Sequence, residues 1–467
     1  MQLKIVLLSG GSGKRLFPMS NEVRSKQFLR LLTDEQGNRI SMLQRVWKQL
    51  ERSGLAQDAY ICASPVHSDL IQNQVGTVPM IEEPSSKDTF PAIALATLYL
   101  QEVLHYKDES IIVMPIDPYV ELSFFEAFHL LEKYTKEDGV DIALIGVHPT
   151  APSSKFGYIS VDRSATEPYL NVTSFVEKPK LDRAQQLIEE GALWNCGVFA
   201  YRSSFLLDWL SDHGYPTTYQ EMRNHWTEMP KISFDYEVVE KVSSAVVLPY
   251  RGLWKDLGTW DVMTSELTQP LIGNGVMVDN VNTHVINELH TPVIVAGTHD
   301  LVVISTPDGI LVADKQHSVG VKEYSQSLQL RPMYVERRWG DYRVIEHRHL
   351  PDGGEMQVRY IRMDAQKSIS YHMHQNHEET WTVVRGRGIF AVDKKLFEIV
   401  PGSVMKIERS QWHAVKALEE LEFVEVQRGM DLSEDDIARR FITWEEIEQF
   451  IGTSLSRSKN SMILHEF

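Results

Sequence analysis

A short apolar run, Leu3 to Leu8, is broken at once by Ser9-Gly10-Gly11-Ser12-Gly13 and then by Lys14-Arg15. Such a pattern reads as a buried strand that delivers a glycine-rich loop, in which the backbone can approach a ligand closely and turn its amides toward anionic oxygens. With the positive charge of Lys14, Arg15 and Lys26, the stretch 8–29 predicts a cradle for a triphosphate or pyrophosphate. A solvated glycine turn is the competing reading of the loop taken alone. Spacing excludes two other phosphate loops, because there is no Gly-Lys-Ser/Thr ending and no G-x-G-x-x-G.

Downstream, apolar segments at 111–116 and 142–147 alternate with helical patterns at 91–104 and 123–136. That alternation predicts an α/β fold over 1–265, with a mostly parallel, Rossmann-like sheet and ligands at the C-terminal ends of its strands. After Pro270 the pattern changes to six short β segments within 276–322, the last of them 318–322, with no helix between them. We read 266–330 as a β-helix-like linker unit, a candidate surface for a homodimer. A second β-rich region, 355–429, is punctuated by Gly353-Gly354, Gly386, Gly388 and Gly402, which predicts an all-β barrel within 331–467. Ser433 to Asp436 is expected to open an amphipathic helix.

Lys plus Arg number 47 against 64 Asp plus Glu, a net charge of −17, so neither nucleic acid nor an anionic membrane is an expected partner. An anionic ligand must therefore meet a local basic site. The only cysteines are Cys62 and Cys196, and no segment reads as a signal peptide or membrane span, so a cytoplasmic location is expected.

The loop continues as Gly-Gly-x-Gly-x-Arg-Leu-x-Pro-x-Ser followed by Lys-Gln-Phe. Six further motifs follow in order: 83–96, 114–117, 175–179, 194–199, 234–241 and 254–260. Together they resemble the sugar-1-phosphate nucleotidyltransferases, and specifically the bacterial mannose-1-phosphate guanylyltransferases. The resemblance implies a nucleotide-diphospho-sugar transferase fold, with GTP and mannose 1-phosphate as substrates and GDP-mannose and pyrophosphate as products. It also implies site residues. Arg15, Lys26, Asp117 and Asp256 are the expected catalytic groups, with Mg²⁺ held by Asp117 and Asp256. Leu8, Gly10, Gly11, Gly13, Lys14, Glu83, Ser86 and Asp88 are expected at the nucleotide. Gly157, Glu177, Lys178 and Asn195 are expected at the sugar phosphate, while Glu240 is read as structural. Departures fall at Lys14, Ser25, Lys87, Asp88, Phe90 and Pro118. Those at 87–90 bear on base choice, so GTP is expected to be the best substrate, with leakage to another purine triphosphate.

In the C-terminal region, His372 and His374 lie two residues apart, on one face of a strand, with Glu379 and then Gly386 beyond them. With His413, these residues resemble the metal site of cupin barrels, and the flanking Arg337 to Tyr342 and Ser433 to Ile437 resemble the type II phosphomannose isomerase domain fused to guanylyltransferases. The implied metal is Zn²⁺ or another divalent ion. A histidine-rich solvated hairpin is the competing reading. His372, His377, Glu408 and Ser410 depart from the family pattern, and His377 replaces an Arg. Bound metal with weak or absent isomerase activity is therefore expected, Arg385 and Arg387 being replacement cations only if their strand turns them inward. Three alternatives stay open: a bifunctional enzyme with mannose-6-phosphate isomerase activity, a nucleotidyltransferase for another hexose 1-phosphate, and a non-catalytic sugar-nucleotide sensor.

Overall fold

The computed structural model describes residues 3–11, 14–21, 23–106, 108–163, 169–328, 331–433, 436–452 and 455–456. It forms two compact units, one of 1–287 with 292–304 and 311–327, the other of 288–291 with 305–310 and 328–467. The first unit is built on a nine-stranded sheet in the order Met80–Glu82, Ala59–Ala63, Leu3–Leu8, Ser110–Pro115, Leu193–Arg202, Ile142–Val147, Ala245–Tyr250, Leu170–Val176, Tyr158–Asp162. The first four are mutually parallel, as are Ile142–Val147 and Ala245–Tyr250. Leu193–Arg202 runs antiparallel between these two groups. Its first residues therefore lie at the edge where the parallel strands end, with Trp194 opposite Val147.

Strands Leu3–Leu8 and Ile142–Val147 are buried along their whole length, as expected for strands covered on both faces. The helix Thr89–Leu98 is apolar nearly all round and buried, so it packs as a central helix, and its N-cap Asp88 accepts a hydrogen bond from the Thr89 amide. Trp260 is fully buried, and its indole N–H donates to the Phe17 carbonyl (2.9 Å), tying the segment after Asp256 to the segment after the glycine loop. Truncating Trp260 to Ala removes both the packing and that bond. It is expected to cost about 3–5 kcal/mol of stability in chemical denaturation; a loss below about 1 kcal/mol would contradict the role.

Segment 266–330, expected as a separate unit, is divided between the two units, most of it in the first. Its apolar residues Ile272, Ile286, Val302 and Ile304 join the cluster that contains Leu3, Ile5 and Leu7. Short strands alone carry too little apolar surface for an independent core. They do coil: Gly275–Val278 lies parallel to Val293–Ala296 with Val276 opposite Ile294, and the Thr298 amide donates to Asn280 Oδ1, 18 residues earlier. The strand expected at 318–322 is instead helical, a 3-10 turn at His317–Gly320 running into the α-helix Val321–Ser325. Ser318 and Val321, three residues apart, are the buried pair, which is helical spacing.

The second unit is a barrel of two six-stranded sheets. Strand Tyr371–Met373 brings His372 opposite His413, and strand His377–Arg385 brings Glu379 opposite Gln427. Of the run Ser433–Asp436 expected to open a helix, Glu434 and Asp435 lie outside the described residues; beyond it Ala438–Phe441 is a strand, and the helix is Trp444–Ile451, opened by a Thr443/Glu446 capping box. The acidic run signals a cap, but Thr443, with Glu446 three residues on, supplies the reciprocal bonds that start the helix.

Candidate functional site

Leu3–Leu8 and Ser110–Pro115 are adjacent parallel strands with Leu8 opposite Pro115, so Ser9-Gly10-Gly11 and Ile116-Asp117 leave the sheet side by side. The loop is held from below. Gln27 Nε2 donates to the Ser9 carbonyl (2.8 Å) and Ser25 Oγ to the Gly11 carbonyl (3.1 Å). Gly11 has φ +116°, a conformation that a side chain would oppose. Around the loop lies a cavity of about 650 Å³, lined by Leu8, Gly10, Gly11, Arg15, Lys26, Glu83, Ser86, Asp88 and Asp117. Expected nucleotide residues thus converge with three of the expected catalytic ones. Gly13 lies outside the described residues, as does the Lys14 side chain.

Glu83 is 2 % exposed and its Oε1 is 3.7 Å from the buried Cys62 thiol. Burial pushes its carboxyl up to about 7. Lys87, a departure from the family pattern, caps backbone instead, its ammonium donating to the carbonyls of Thr227 (2.6 Å) and Met229 (2.8 Å).

Asp256 pairs in register with Pro118, which sets it beside Asp117. The Lys26 ammonium contacts Asp117 Oδ2 and stands 3.8 Å from Asp256 Oδ1. Burial works against its charge, but the two carboxylates outweigh burial and hold it above its ordinary range. Asp117, despite burial, is held down by Lys26, whereas burial and the repulsion of Asp117 push Asp256 up. Two converging carboxylates sharing one ammonium leave anionic oxygen for a further cation, the donor chemistry that a hard divalent ion takes.

A second cluster gathers the expected sugar-phosphate residues. The Asn195 amide N–H donates to the Gly157 carbonyl (2.8 Å), and Asn195 Nδ2 donates to Asp235 Oδ1 (2.6 Å). The Lys178 ammonium pairs with Glu177, and the Glu177 amide donates to Glu240 Oε1 (2.9 Å), giving Glu240 a structural part. A Cβ on Gly157 would stand 2.4 Å from Glu177 Oε2, so only glycine leaves that carboxylate its place. Lys178 adopts φ +48° just before Pro179. Burial disfavours its charge, yet the Glu177 hydrogen bond and charge raise it above its usual value. Sequence reasoning missed Asp235, whose carboxyl is pushed up to about 7 by burial and then by the Glu177 charge. Its motif, 234–241, is visible in the sequence, but there the helical spacing of Glu237 and Glu240 stands out more than the aspartate does.

In the barrel, Glu379 is surrounded by imidazoles: His377 Nε2 at 3.3 Å, His374 Nε2 at 3.4 Å and His413 Nε2 at 3.4 Å, with the His372 ring 4.3 Å from that of His413. The carbonyls of Ser370, Asp436 and Gln411 take hydrogen bonds from Nδ1 of His372, His374 and His413 at 2.7, 2.5 and 2.9 Å. A carbonyl only accepts, so Nδ1 carries the proton and Nε2 offers a lone pair. His413 Nε2 is buried without a hydrogen-bond partner. Nitrogens of His372, His374 and His413 lie within 4.8 Å of one another. This set fits a divalent transition metal.

Sequence reasoning missed that His377 and Asp436 form a second such group with His374; Asp436 comes from a distant loop, which no local spacing reveals. Arg385 and Arg387 do not turn inward. They pair on the surface with Glu420 and Glu398. Arg359, 3.6 Å from Glu425, is a sheltered cation of this unit.

Known proteins agree with both halves. Residues 4–269 match the nucleotidyl transferase family model, and 325–441 match the mannose-6-phosphate isomerase C-terminal model. The chain is 30% identical to the alginate biosynthesis protein AlgA of Pseudomonas aeruginosa, over 93% of this chain and 95% of that one. It is also 30% identical to a mannose-1-phosphate guanylyltransferase of Escherichia coli, over 93% and 98%. Among solved structures, one described as a mannose-1-phosphate geranyltransferase from Thermus thermophilus superposes with a TM-score of 0.60 at 25% identity, covering 70% of this chain and 99% of that one. No helix among the described residues is long and apolar enough to cross a membrane.

Proposed function

Because the chain belongs to the nucleotidyl transferase family and carries a mannose-6-phosphate isomerase C-terminal domain, we propose that it makes GDP-mannose and pyrophosphate from GTP and mannose 1-phosphate in the cytoplasm. The observation that carries this reading is the Lys26, Asp117 and Asp256 cluster at the glycine-loop cavity. A phosphate oxygen of mannose 1-phosphate attacks the α-phosphorus of GTP in line, the α–β bridging bond breaks, and pyrophosphate leaves with the electron pair. Both reactants are anions, so positioning and charge compensation dominate the rate. The loop amides and Arg15 hold the triphosphate, and Lys26 stands beside the reacting phosphate. Glu83, Ser86 and Asp88 line the base end. Gly157, Glu177, Lys178, Asn195 and Asp235 orient the sugar phosphate. Asp117 and Asp256 would hold Mg²⁺, which supplies neutralisation of the triphosphate charge.

The barrel is read as holding Zn²⁺ or a similar ion on His372, His374, Glu379 and His413, with weak or absent isomerase activity. The outward Arg385 and Arg387 do not supply a cation to that site, and the sheltered Arg359 is paired with Glu425.

Pyrophosphate release with mannose 1-phosphate and each of four nucleoside triphosphates tests the reading. GTP should be used best, and a preference for UTP or dTTP would refute it. In the same assay Lys178→Ala is expected to raise the KM for mannose 1-phosphate by about 10-fold or more with a smaller change in kcat, because it removes a charged anchor remote from the reacting phosphorus. An unchanged KM would remove Lys178 from the site.

A further inference from the structure

The nucleotide cavity receives a cation from far along the chain. Lys322, on the helix Val321–Ser325, lines the same space as Gly10, Gly11 and Arg15. That helix packs on the 3-10 turn Lys14–Leu16, immediately after the glycine loop, and its Val321 is buried. Lys322 thus shares the cavity with the glycine loop, on a helix that packs against the turn following that loop. Its ammonium makes no ion pair among the described residues, unlike Lys26 and Lys178, which are already bound to carboxylates. The residue also lies between the two regions matched by family models, which end at 269 and resume at 325.

An ammonium beside the glycine loop, with no ion pair among the described residues, has a definite use in a chain of net charge −17. Local positive charge must be concentrated where a polyanion binds, and an in-line displacement at the α-phosphorus builds charge on the departing pyrophosphate. We propose that Lys322 binds the β- and γ-phosphates of the incoming nucleotide and the pyrophosphate they become, so that the segment after the coil completes the nucleotide site. This rests on the nucleotidyltransferase reading above.

The test uses the full chain, with Lys322→Ala and Lys322→Arg. For Lys322→Ala, the KM for GTP and, in the reverse direction, for pyrophosphate should rise about 5- to 20-fold, the loss expected for one charge-assisted contact. The KM for mannose 1-phosphate should stay within about 2-fold, and Arg should restore most of the loss because it keeps the charge. The thermal transition should not move, since the side chain is exposed. Calorimetric titration with GTP separates the two levels of the argument. If wild-type protein binds GTP but forms no sugar nucleotide, the nucleotidyltransferase reading fails, and a weakened affinity in Lys322→Ala still supports the contact. Equal GTP and pyrophosphate constants in Lys322→Ala and wild type overturn the proposal, and wild-type protein that binds no GTP overturns both.

Discussion

Asp256→Asn should lower turnover of GTP and mannose 1-phosphate by about 10²- to 10³-fold while leaving the protein folded. The amide keeps the size of the carboxylate, and the backbone of residue 256 stays paired to Pro118, so the strand has no reason to shift. What changes is charge. Lys26 is balanced by two carboxylates, Asp117 in contact and Asp256 at 3.8 Å; removing one leaves Lys26 and Asp117 as a closed pair with no anionic oxygen to spare for a divalent ion. The deficit should fall on kcat, with the KM for mannose 1-phosphate little altered, and unfolding curves should superpose on wild type. Turnover within 10-fold of wild type would detach Asp256 from the reaction.

In the barrel, the protein as purified should retain about one transition-metal ion per chain after dialysis, and Glu379→Gln should weaken zinc affinity by about 100-fold or more. Burial opposes the charge of Glu379, yet its hydrogen bond with His377 and the imidazoles gathered around it hold the carboxyl well below its usual range. Imidazoles from three sides therefore converge on one fixed negative charge. Gln cannot supply it, and its amide N–H groups would face nitrogen lone pairs. Elemental analysis of both proteins checks the result, with a chelator-induced fall in the thermal transition as a second readout. Equal metal content in the two proteins would exclude Glu379 as a ligand.

The parts of the site visible in the sequence are those that one strand end or one short motif delivers whole: the glycine loop after Leu8, Asp117 after Pro115, Lys178 before Pro179, and His372 with His374 on one strand. Hidden are the partnerships made by distant backbone. Asp235 meets Asn195 across 40 residues and the Asp436 carbonyl holds His374 across 62, and no periodicity encodes either. Lys322 reads as part of a strand because Val319 and Val321 are β-branched. The buried pair Ser318 and Val321 sets helical spacing instead and carries the lysine to the glycine loop. The linker unit is legible as a coil, but its shared core is not, since burial against another part of the chain leaves no mark in local pattern.

The reversed strand Leu193–Arg202 has a consequence for how such a molecule can change. It is the seam between one group of strands that carries the glycine loop and Asp117, and another beside which Gly157, Glu177 and Lys178 gather, and it contributes Asn195 from its own first residues. On the proposed reading, nucleotide and sugar are met by different strand groups on either side of this strand. If those roles hold, exchanging residues beside Gly157, Glu177 and Lys178 should alter the sugar accepted while leaving the glycine-loop side unchanged, so that one side of the seam can be edited alone.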